Sequence, residues 1–192
     1  MTDAIGRFVA GRRPGVHLNG VGRRQAATLA ERLADLRIDA VVSSPLERAM
    51  ETAAPIAAAH RRDVHTLPAL TEVDAGEWTG ATFDALAGDP LWQRFNGERG
   101  TRRAPGGGET MVDVQKRALD ALLMLGQQHP AATVAVVSHG DVIRAALVFA
   151  LGMPMDCLDR IEVLPARVSV LQIGAEPPKV LQINGDSVPP RA

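Results

Sequence analysis

The chain of 192 residues contains 46% hydrophobic and 22% charged residues, a composition typical of a folded globular domain rather than a disordered protein. Its formal net charge of -1 gives no overall basic field, so neither nucleic acid nor a membrane surface is expected as a partner. No apolar run reaches the roughly 18 residues of a transmembrane helix or has the pattern of a signal peptide. Cys157 is the single cysteine and suits a reducing compartment, so we expect a cytoplasmic protein.

Predicted helices and strands alternate along the chain, because helically spaced apolar residues alternate with short β-branched runs. The run at 133–138 is continuously apolar, as expected for a strand buried on both faces of a parallel sheet. We therefore expect an α/β three-layer sandwich, with a mostly parallel central sheet flanked by helices, as a single domain over 1–192. The predicted elements are a helix to about 36 with Asn19 as its N-cap, a strand at 38–42, a helix ending near 60, a strand at 64–67, a helix at 111–125, a strand at 133–138, a helix at 142–150, and closing strands at 168–173 and 180–183.

The periodicity is lost in a segment rich in Gly and Pro that contains both tryptophans. We interpret residues at about 76–108 as an irregular insertion or a lid over a site. Its arginines form a local basic cluster, which we expect near the mouth of the site as the binding group for a distal anionic part of a substrate. A solvated loop is the alternative. The arginines are Arg94, Arg99, Arg102 and Arg103.

Two predicted loops join the carboxyl end of a strand to a helix, where ligands bind in sheets of this kind. Arg48 falls in the first turn of its helix, where the helix dipole disfavours a cation, so an anionic ligand would explain its position. His139 follows the buried strand beside Gly140, where a small residue lets a ligand approach the backbone. A surface arginine and a structural histidine are the alternatives.

A turn after the strand at 64–67 carries three carboxylates, Glu72, Asp74 and Glu77, any of which could donate a proton if it is buried. No cluster of His, Cys, Asp and Glu has metal-ligand spacing, so no metal and no cofactor is expected. Neither a Gly-x-Gly-x-x-Gly motif nor a Walker loop is present, which argues against a nucleotide-binding domain.

Four ordered blocks of this sequence resemble the signature blocks of the histidine phosphatase superfamily, the phosphoglycerate mutase-like proteins. The resemblance covers nearly the whole chain and is strongest to bacterial phosphomutases and broad-specificity phosphatases. It implies a phosphoglycerate mutase-like fold and transfer of a phosphoryl group from a small phosphorylated metabolite to a histidine, then to water or a second hydroxyl, without metal. The blocks are SSPLERAMETA at 43–53, LTEVDAGEWTG at 70–80, PGGGET at 105–110 and VVSHG at 136–140.

The resemblance also implies roles for the candidate residues. Arg48 and His139 would bind the phosphoryl oxygens as a guanidinium and an imidazolium, and Glu72 would protonate the leaving alkoxide. The N–H of Gly140 and the hydroxyl of Ser138 are weaker candidates for the same phosphate.

The first block of that family, a strand ending in Arg-His-Gly with the nucleophilic histidine, has no match here. We therefore expect the fold to lack its first strand. The other histidines are interpreted as loop, surface or structural residues: His17, His60, His65 and His129. Either the true start lies upstream, or the product is a shortened, non-catalytic homologue that binds a phosphorylated ligand. We favour the first explanation, because loss of a central strand would expose backbone groups of its neighbours.

Overall fold

A computed structural model describes residues 1–174 and 177–188. Residues 175–176 and 189–192 of the predicted domain range lie outside that description. The helices are α1 (Gly20–Leu33), α2 (Glu47–Ala59), α3 (Phe83–Leu86), α4 (Pro90–Gly97), α5 (Met111–Gln128) and α6 (Gly140–Ala150). The strands are β1 (Ala40–Ser43), β2 (Val64–Thr66), β3 (Val134–Val137), β4 (Val168–Gln172) and β5 (Lys179–Gly185). Short 3-10 helices cover Pro68–Leu70, Gly76–Trp78 and Met155–Arg160.

Three strands form a parallel sheet in the order β2-β1-β3, and β4 and β5 form an antiparallel pair. Val41 of the central strand lies opposite Val64 on one side and Ala135 on the other. Helix α1 starts where expected, because the side chain of Asn19 accepts a hydrogen bond from the N–H of Gly22. The predicted α/β class with a parallel sheet flanked by helices is confirmed.

Helices cover both faces of the parallel sheet. One face packs against α1 and α2, whose Leu29 and Ile56 lie in one cluster with Val41. The next residue of the same strand, Val42, points to the opposite face and packs against Leu125 of α5. Helix and strand periodicity thus produce the three layers. Side chains of β3 alternate in the same way, with Ala135 and Val137 on the first face and Val134 and Val136 on the second.

The prediction that the strand at 133–138 is buried on both faces is wrong. All four residues of β3 are half-buried, whereas all four of β1 are buried. The physical reason is the place of each strand in the sheet: within the described residues, β1 has a paired strand on each side and β3 pairs along one edge. The β4–β5 pair still contributes to the same core, since Val168 packs into the cluster of α1 and α2.

The segment at 76–108 is more regular than its composition suggests. Helix α4 forms because Asp89 caps it and Pro90 occupies its first turn. Trp78 lies 5.1 Å from both Trp92 and Phe95 between ring centroids, in edge-to-face contacts. These rings form a separate aromatic cluster, whereas the buried clusters around the sheet consist of aliphatic and methionine side chains. We call residues 76–108 the lid, as a label for this stretch of the chain only.

Candidate functional site

The predicted site loops lie side by side at the carboxyl ends of β1 and β3. The N–H of Ser44 donates to the carbonyl of Val137 at 2.9 Å, which ties the ends of the two strands together. Arg48 follows in the first turn of α2, and His139 is the residue immediately before α6. The alternation of strand and helix therefore brings an arginine and a histidine to one edge of the sheet, although 91 positions separate them in the chain (139 minus 48).

Arg48 is a half-buried cation with an unused, buried donor. Its Nη2 donates to the carbonyl of Gly11 at 2.8 Å, while its Nη1 is buried without a hydrogen-bond partner among the described residues. Burial lowers the pKa of the Arg48 guanidinium, and the carboxylates of Glu72 and Glu47 oppose this effect. A buried guanidinium N–H without a partner is costly, and an anion would satisfy it.

His139 is 6% exposed, and its Nε2 lies 2.7 Å from the hydroxyl oxygen of Ser44. Burial, reinforced by the positive charges of Arg48 and Arg117, lowers the pKa of His139 to about 3. The ring is therefore neutral at pH 7 in the unliganded protein, whereas the imidazolium was expected with phosphate bound. A neutral imidazole still offers one N–H to a phosphoryl oxygen.

Glu72 lies beside His139, with 4.0 Å between its Oε2 and His139 Nδ1. Its side chain is 18% exposed, whereas the side chain of Asp74 in the same turn is 41% exposed and Glu77 is an exposed residue. Burial, followed by the charge of Asp141, raises the pKa of Glu72 to about 7. A carboxyl group with this pKa exchanges a proton near neutrality, as a general acid requires.

Two arginines hold the main chain of Glu72, and a glutamate bridges the two arginines. The sequence reasoning missed the roles of all three. The Glu72 carbonyl accepts from Arg12 Nε at 2.9 Å and from Arg117 Nη2 at 3.2 Å. Glu109 bridges the pair, accepting from Arg12 Nη2 at 2.8 Å and from Arg117 Nε at 2.8 Å. Burial opposes ionisation, but hydrogen bonds from Arg117 and from the N–H of Asp74 hold the pKa of Glu109 below its usual value.

One signal for this network was present in the sequence. Arg117 lies on α5 between Val114 and Ala121, at the i+3 and i-4 spacing that marks one helix face. Both of those residues are buried. A charged residue on an apolar face needs a buried partner, which Glu109 provides from the loop before the helix.

The four arginines of the lid do not converge on one point. Arg99 is 8% exposed and turns toward α6, where its Nη2 lies 2.5 Å from Asp141 Oδ2. Arg102 pairs with Glu98 and Arg103 with Asp113, both partly exposed to solvent. Arg94 is exposed and has no ion-pair partner in the part of the chain that the structure describes.

The weaker candidates and the remaining histidines take different positions. Gly140 begins α6, whose first-turn N–H groups have no capping side chain and form a site suited to an anion. The hydroxyl of Ser138 donates to the carbonyl of Leu70 at 2.7 Å and is therefore already engaged. Among the described residues, the other histidines form no hydrogen bond with Arg48, Glu72 or His139: His17 binds Glu51, His60 and His129 follow α2 and α5, and His65 lies in β2.

Residues 1–174 and 177–188 contain neither a metal-binding cluster nor a helix suited to a membrane. No group of three His, Cys, Asp or Glu side chains in these ranges is arranged to hold a metal ion. Of the helices there, none combines the length with the apolar character that crossing a bilayer requires.

Known proteins match this chain in sequence and in fold. The family model of the Histidine phosphatase superfamily (branch 1) matches residues 2–186 of this chain. Phosphoglycerate mutase-like protein 4 of Arabidopsis thaliana is 37% identical over 134 residues, 68% of this chain and 58% of the relative. Glucosyl-3-phosphoglycerate phosphatase of Mycolicibacterium vanbaalenii is 33% identical over 149 residues, 72% of this chain and 65% of the relative.

The solved structure of YhfR from Bacillus stearothermophilus superposes with a TM-score of 0.88 at 27% identity, covering 97% of this chain and 93% of that one. The curated relatives are longer proteins. The match spans 58% and 65% of the two named above.

Proposed function

Since the chain belongs to the histidine phosphatase superfamily, we propose that it acts on phosphomonoesters, by hydrolysis or by phosphoryl transfer through a phosphohistidine. The observation that carries this proposal is the buried Nη1 of the half-buried Arg48, which has no partner among the described residues. That unused donor lies at the edge of the sheet with neutral His139 and with Glu72, whose pKa is about 7. A group that binds the phosphate anion and a group that donates a proton to the leaving alkoxide are two of the groups that cleavage of a phosphate ester requires.

Each residue has one role in the proposed reaction. Arg48, His139 and the N–H of Gly140 bind the phosphoryl oxygens. A histidine nitrogen forms a P–N bond as the ester P–O bond breaks, and the leaving alkoxide takes the proton of Glu72. Water then attacks phosphorus and gives up a proton to the Glu72 carboxylate. The P–N bond breaks, and inorganic phosphate is released. A second hydroxyl in place of water gives a phosphomutase.

The nucleophile in this proposal is a histidine supplied from outside these 192 residues, in a strand that ends in Arg-His-Gly. His139 is assigned to binding, because its Nε2 already contacts Ser44 and its ring follows β3 in the Ser-His-Gly block. Support comes from the sheet, in which β3 and β4 each pair along one edge within the described residues. Within the described residues, each of these strands therefore has an edge at which a further strand would pair. The second candidate is a non-catalytic homologue that binds a phosphorylated ligand with the same Arg48 and His139.

The substrate class is a small phosphorylated metabolite. Supporting this assignment, a relative 33% identical to this chain is named a glucosyl-3-phosphoglycerate phosphatase. Residues 1–192 form one domain in this proposal, and the lid at about 76–108 covers the site. The exposed Arg94 is then the lid group available for a distal anionic part of the substrate, since within the described residues Arg99 pairs with Asp141, Arg102 with Glu98 and Arg103 with Asp113.

The test compares the 192-residue protein with a form extended by the in-frame codons upstream of Met1. Each is assayed for p-nitrophenyl phosphate hydrolysis and for an acid-labile phosphohistidine. The extended form is expected to turn over substrate and to form phosphohistidine, and the short form is expected to do neither while still binding orthophosphate through Arg48. Equal, His139-dependent turnover by the short form would assign the nucleophile to His139. Orthophosphate binding without turnover in both forms would favour the non-catalytic homologue.

A further inference from the structure

Ser44 is a fully buried hydroxyl whose oxygen is fixed in place. The residue is 0% exposed, and its N–H is anchored to the carbonyl of Val137 at 2.9 Å. Its Oγ accepts from the N–H of Leu46 at 3.3 Å, in the turn that leads into α2. The same Oγ lies 2.7 Å from His139 Nε2. Main-chain hydrogen bonds on both sides of the turn therefore determine where this hydroxyl lies relative to the ring.

The position of the proton between Ser44 and His139 follows from counting donors and acceptors. Within the described residues, no acceptor other than His139 Nε2 receives the Ser44 hydroxyl proton. If Nε2 carried a proton, that buried hydroxyl proton would have no acceptor, at a cost comparable to a lost hydrogen bond. The arrangement that satisfies both groups has the hydroxyl donating to an unprotonated Nε2.

The proton of the neutral ring then belongs on Nδ1, the nitrogen on the side of Glu72. The distance from Nδ1 to Glu72 Oε2 is 4.0 Å, too long for a direct hydrogen bond. Nδ1–H is therefore free to donate to an oxygen that enters between His139 and Glu72. In the other tautomer a nitrogen lone pair would face that oxygen, and the contact would be repulsive.

We propose that Ser44 is a positioning residue that fixes the Nδ1–H tautomer of His139 and so presents a donor, rather than a lone pair, to the phosphoryl group. The role of the tautomer in ligand binding rests on the proposed function. The tautomer itself does not, because it follows from the contacts of Ser44 and from the burial of the neutral His139 ring. Ser44 touches His139 and is not assigned a contact with substrate.

The first experiment reads the tautomer directly, in the 192-residue protein without any ligand. Nitrogen-15 chemical shifts of the five histidines at pH 7 distinguish a protonated from an unprotonated ring nitrogen, and the His139→Gln variant assigns the signals of His139. Wild type is expected to show protonated Nδ1 and unprotonated Nε2. Ser44→Ala is expected to move the proton toward Nε2, and Ser44→Thr, which keeps the hydroxyl, is expected to preserve the wild-type shifts.

Ser43→Ala is the matched control. Ser43 is also 0% exposed, but its hydroxyl donates to the carbonyl of Ser44 at 2.9 Å and not to the ring. The same substitution one position away is expected to leave the shifts of His139 unchanged. Protonated Nε2 in wild type, or unchanged shifts in a folded Ser44→Ala, would overturn the proposal. If Ser44→Ala does not fold, the wild-type tautomer alone decides.

The second experiment measures binding of inorganic orthophosphate by calorimetry. Ser44→Ala is expected to weaken binding by about three- to tenfold, the effect of losing one well-placed neutral hydrogen bond, and Ser43→Ala to leave it unchanged. Equal affinities of wild type and Ser44→Ala would overturn the link between tautomer and ligand. Absence of orthophosphate binding in wild type would count against the proposed function, whereas the tautomer measurement would still decide the role of Ser44.

Discussion

The site consists of two halves that are built differently. The strand-end half consists of Ser44 and His139 in the turns after β1 and β3, together with Arg48 in the first turn of α2. Main-chain hydrogen bonds between the two strand ends determine where these turns lie. In the arginine-held half, Glu72 follows a 3-10 helix and has its carbonyl held by two arginine side chains. The strand-end half therefore depends on the fold as a whole, and the arginine-held half depends on three charged side chains.

Removing the bridging carboxylate is expected to have the largest effect, and it should break the arginine-held half alone. Glu109→Gln removes the anion of Arg117 and leaves Arg12 with only the longer ion pair to Asp74 at 3.6 Å, at a site where the Glu109 side chain is 17% exposed. We expect the free energy of unfolding to fall by about 2–3 kcal/mol, measured by urea denaturation at pH 7. The nitrogen-15 shifts of His139 should stay near their wild-type values.

Glu98→Gln provides the control for that variant, since Glu98 pairs with Arg102 at the surface and its side chain is 53% exposed. The same substitution there should change stability by less than about 0.5 kcal/mol. Equal losses in the two variants would mean that the network around Glu109 contributes no more than a surface ion pair.

The pH dependence of the free energy of unfolding reports the ionisation of Glu72 in the arginine-held half. The pKa of Glu72 is raised to about 7 in the folded protein from its usual value of 4.5, so the folded state keeps a proton that the unfolded state releases between these values. Stability is therefore lost as pH rises from about 4.5 to about 7. We expect Glu72→Gln to be more stable than wild type by about 1–2 kcal/mol at pH 8 and equal to it below pH 4, measured by urea denaturation.

Glu77→Gln is the matched control, because Glu77 lies in the same turn and is exposed. It should follow the wild-type pH profile. A Glu72→Gln profile parallel to wild type would show that Glu72 ionises at its usual pKa.

Arg48→Lys probes the strand-end half at its anion site. A lysine keeps the charge but loses the planar fork of N–H groups, so we expect orthophosphate affinity to fall about tenfold, equivalent to about 1.4 kcal/mol. Calorimetric titration measures the affinity. Arg7→Lys, at an exposed arginine, should bind orthophosphate like wild type. An unchanged affinity in Arg48→Lys would remove Arg48 from the binding site.

The smallest expected effect lies outside both halves, at the lid. Arg94→Gln should weaken binding of a phosphomonoester that also carries a carboxylate by about twofold, because an exposed charge contributes little. It should leave orthophosphate binding unchanged. Arg61→Gln, at an exposed arginine after α2, is the control. Identical affinities of Arg94→Gln and Arg61→Gln for the larger ligand would make Arg94 a solvated surface residue.

The two halves differed in how far the sequence could predict them. Arg48 and His139 were found because a strand, a turn and a helix are each local patterns, and parallel strands bring their carboxyl ends together. Glu72 stood out from its neighbours Asp74 and Glu77 through the family resemblance, since nothing in the local pattern shows which carboxylate is buried.

The remaining contacts depend on residues far apart in the chain. Arg12 meets Glu109 across 97 positions, and Ser44 meets His139 across 95. Neither pair follows from periodicity or turn chemistry. The half-burial of β3 was missed for a related reason, because hydrophobicity indicates that a strand belongs to a core and not which strands lie beside it.

The separate aromatic cluster of the lid gives the protein a built-in optical reporter. Both tryptophans, Trp78 and Trp92, lie in that cluster, and the sequence contains no tyrosine. Intrinsic tryptophan fluorescence therefore comes from the lid, while the sheet and its flanking helices contribute no tryptophan or tyrosine emission. Fluorescence and far-ultraviolet circular dichroism would consequently follow different parts of the molecule in one denaturation experiment. A gap between the two midpoints would measure the stability of the lid on its own, without any added dye or label.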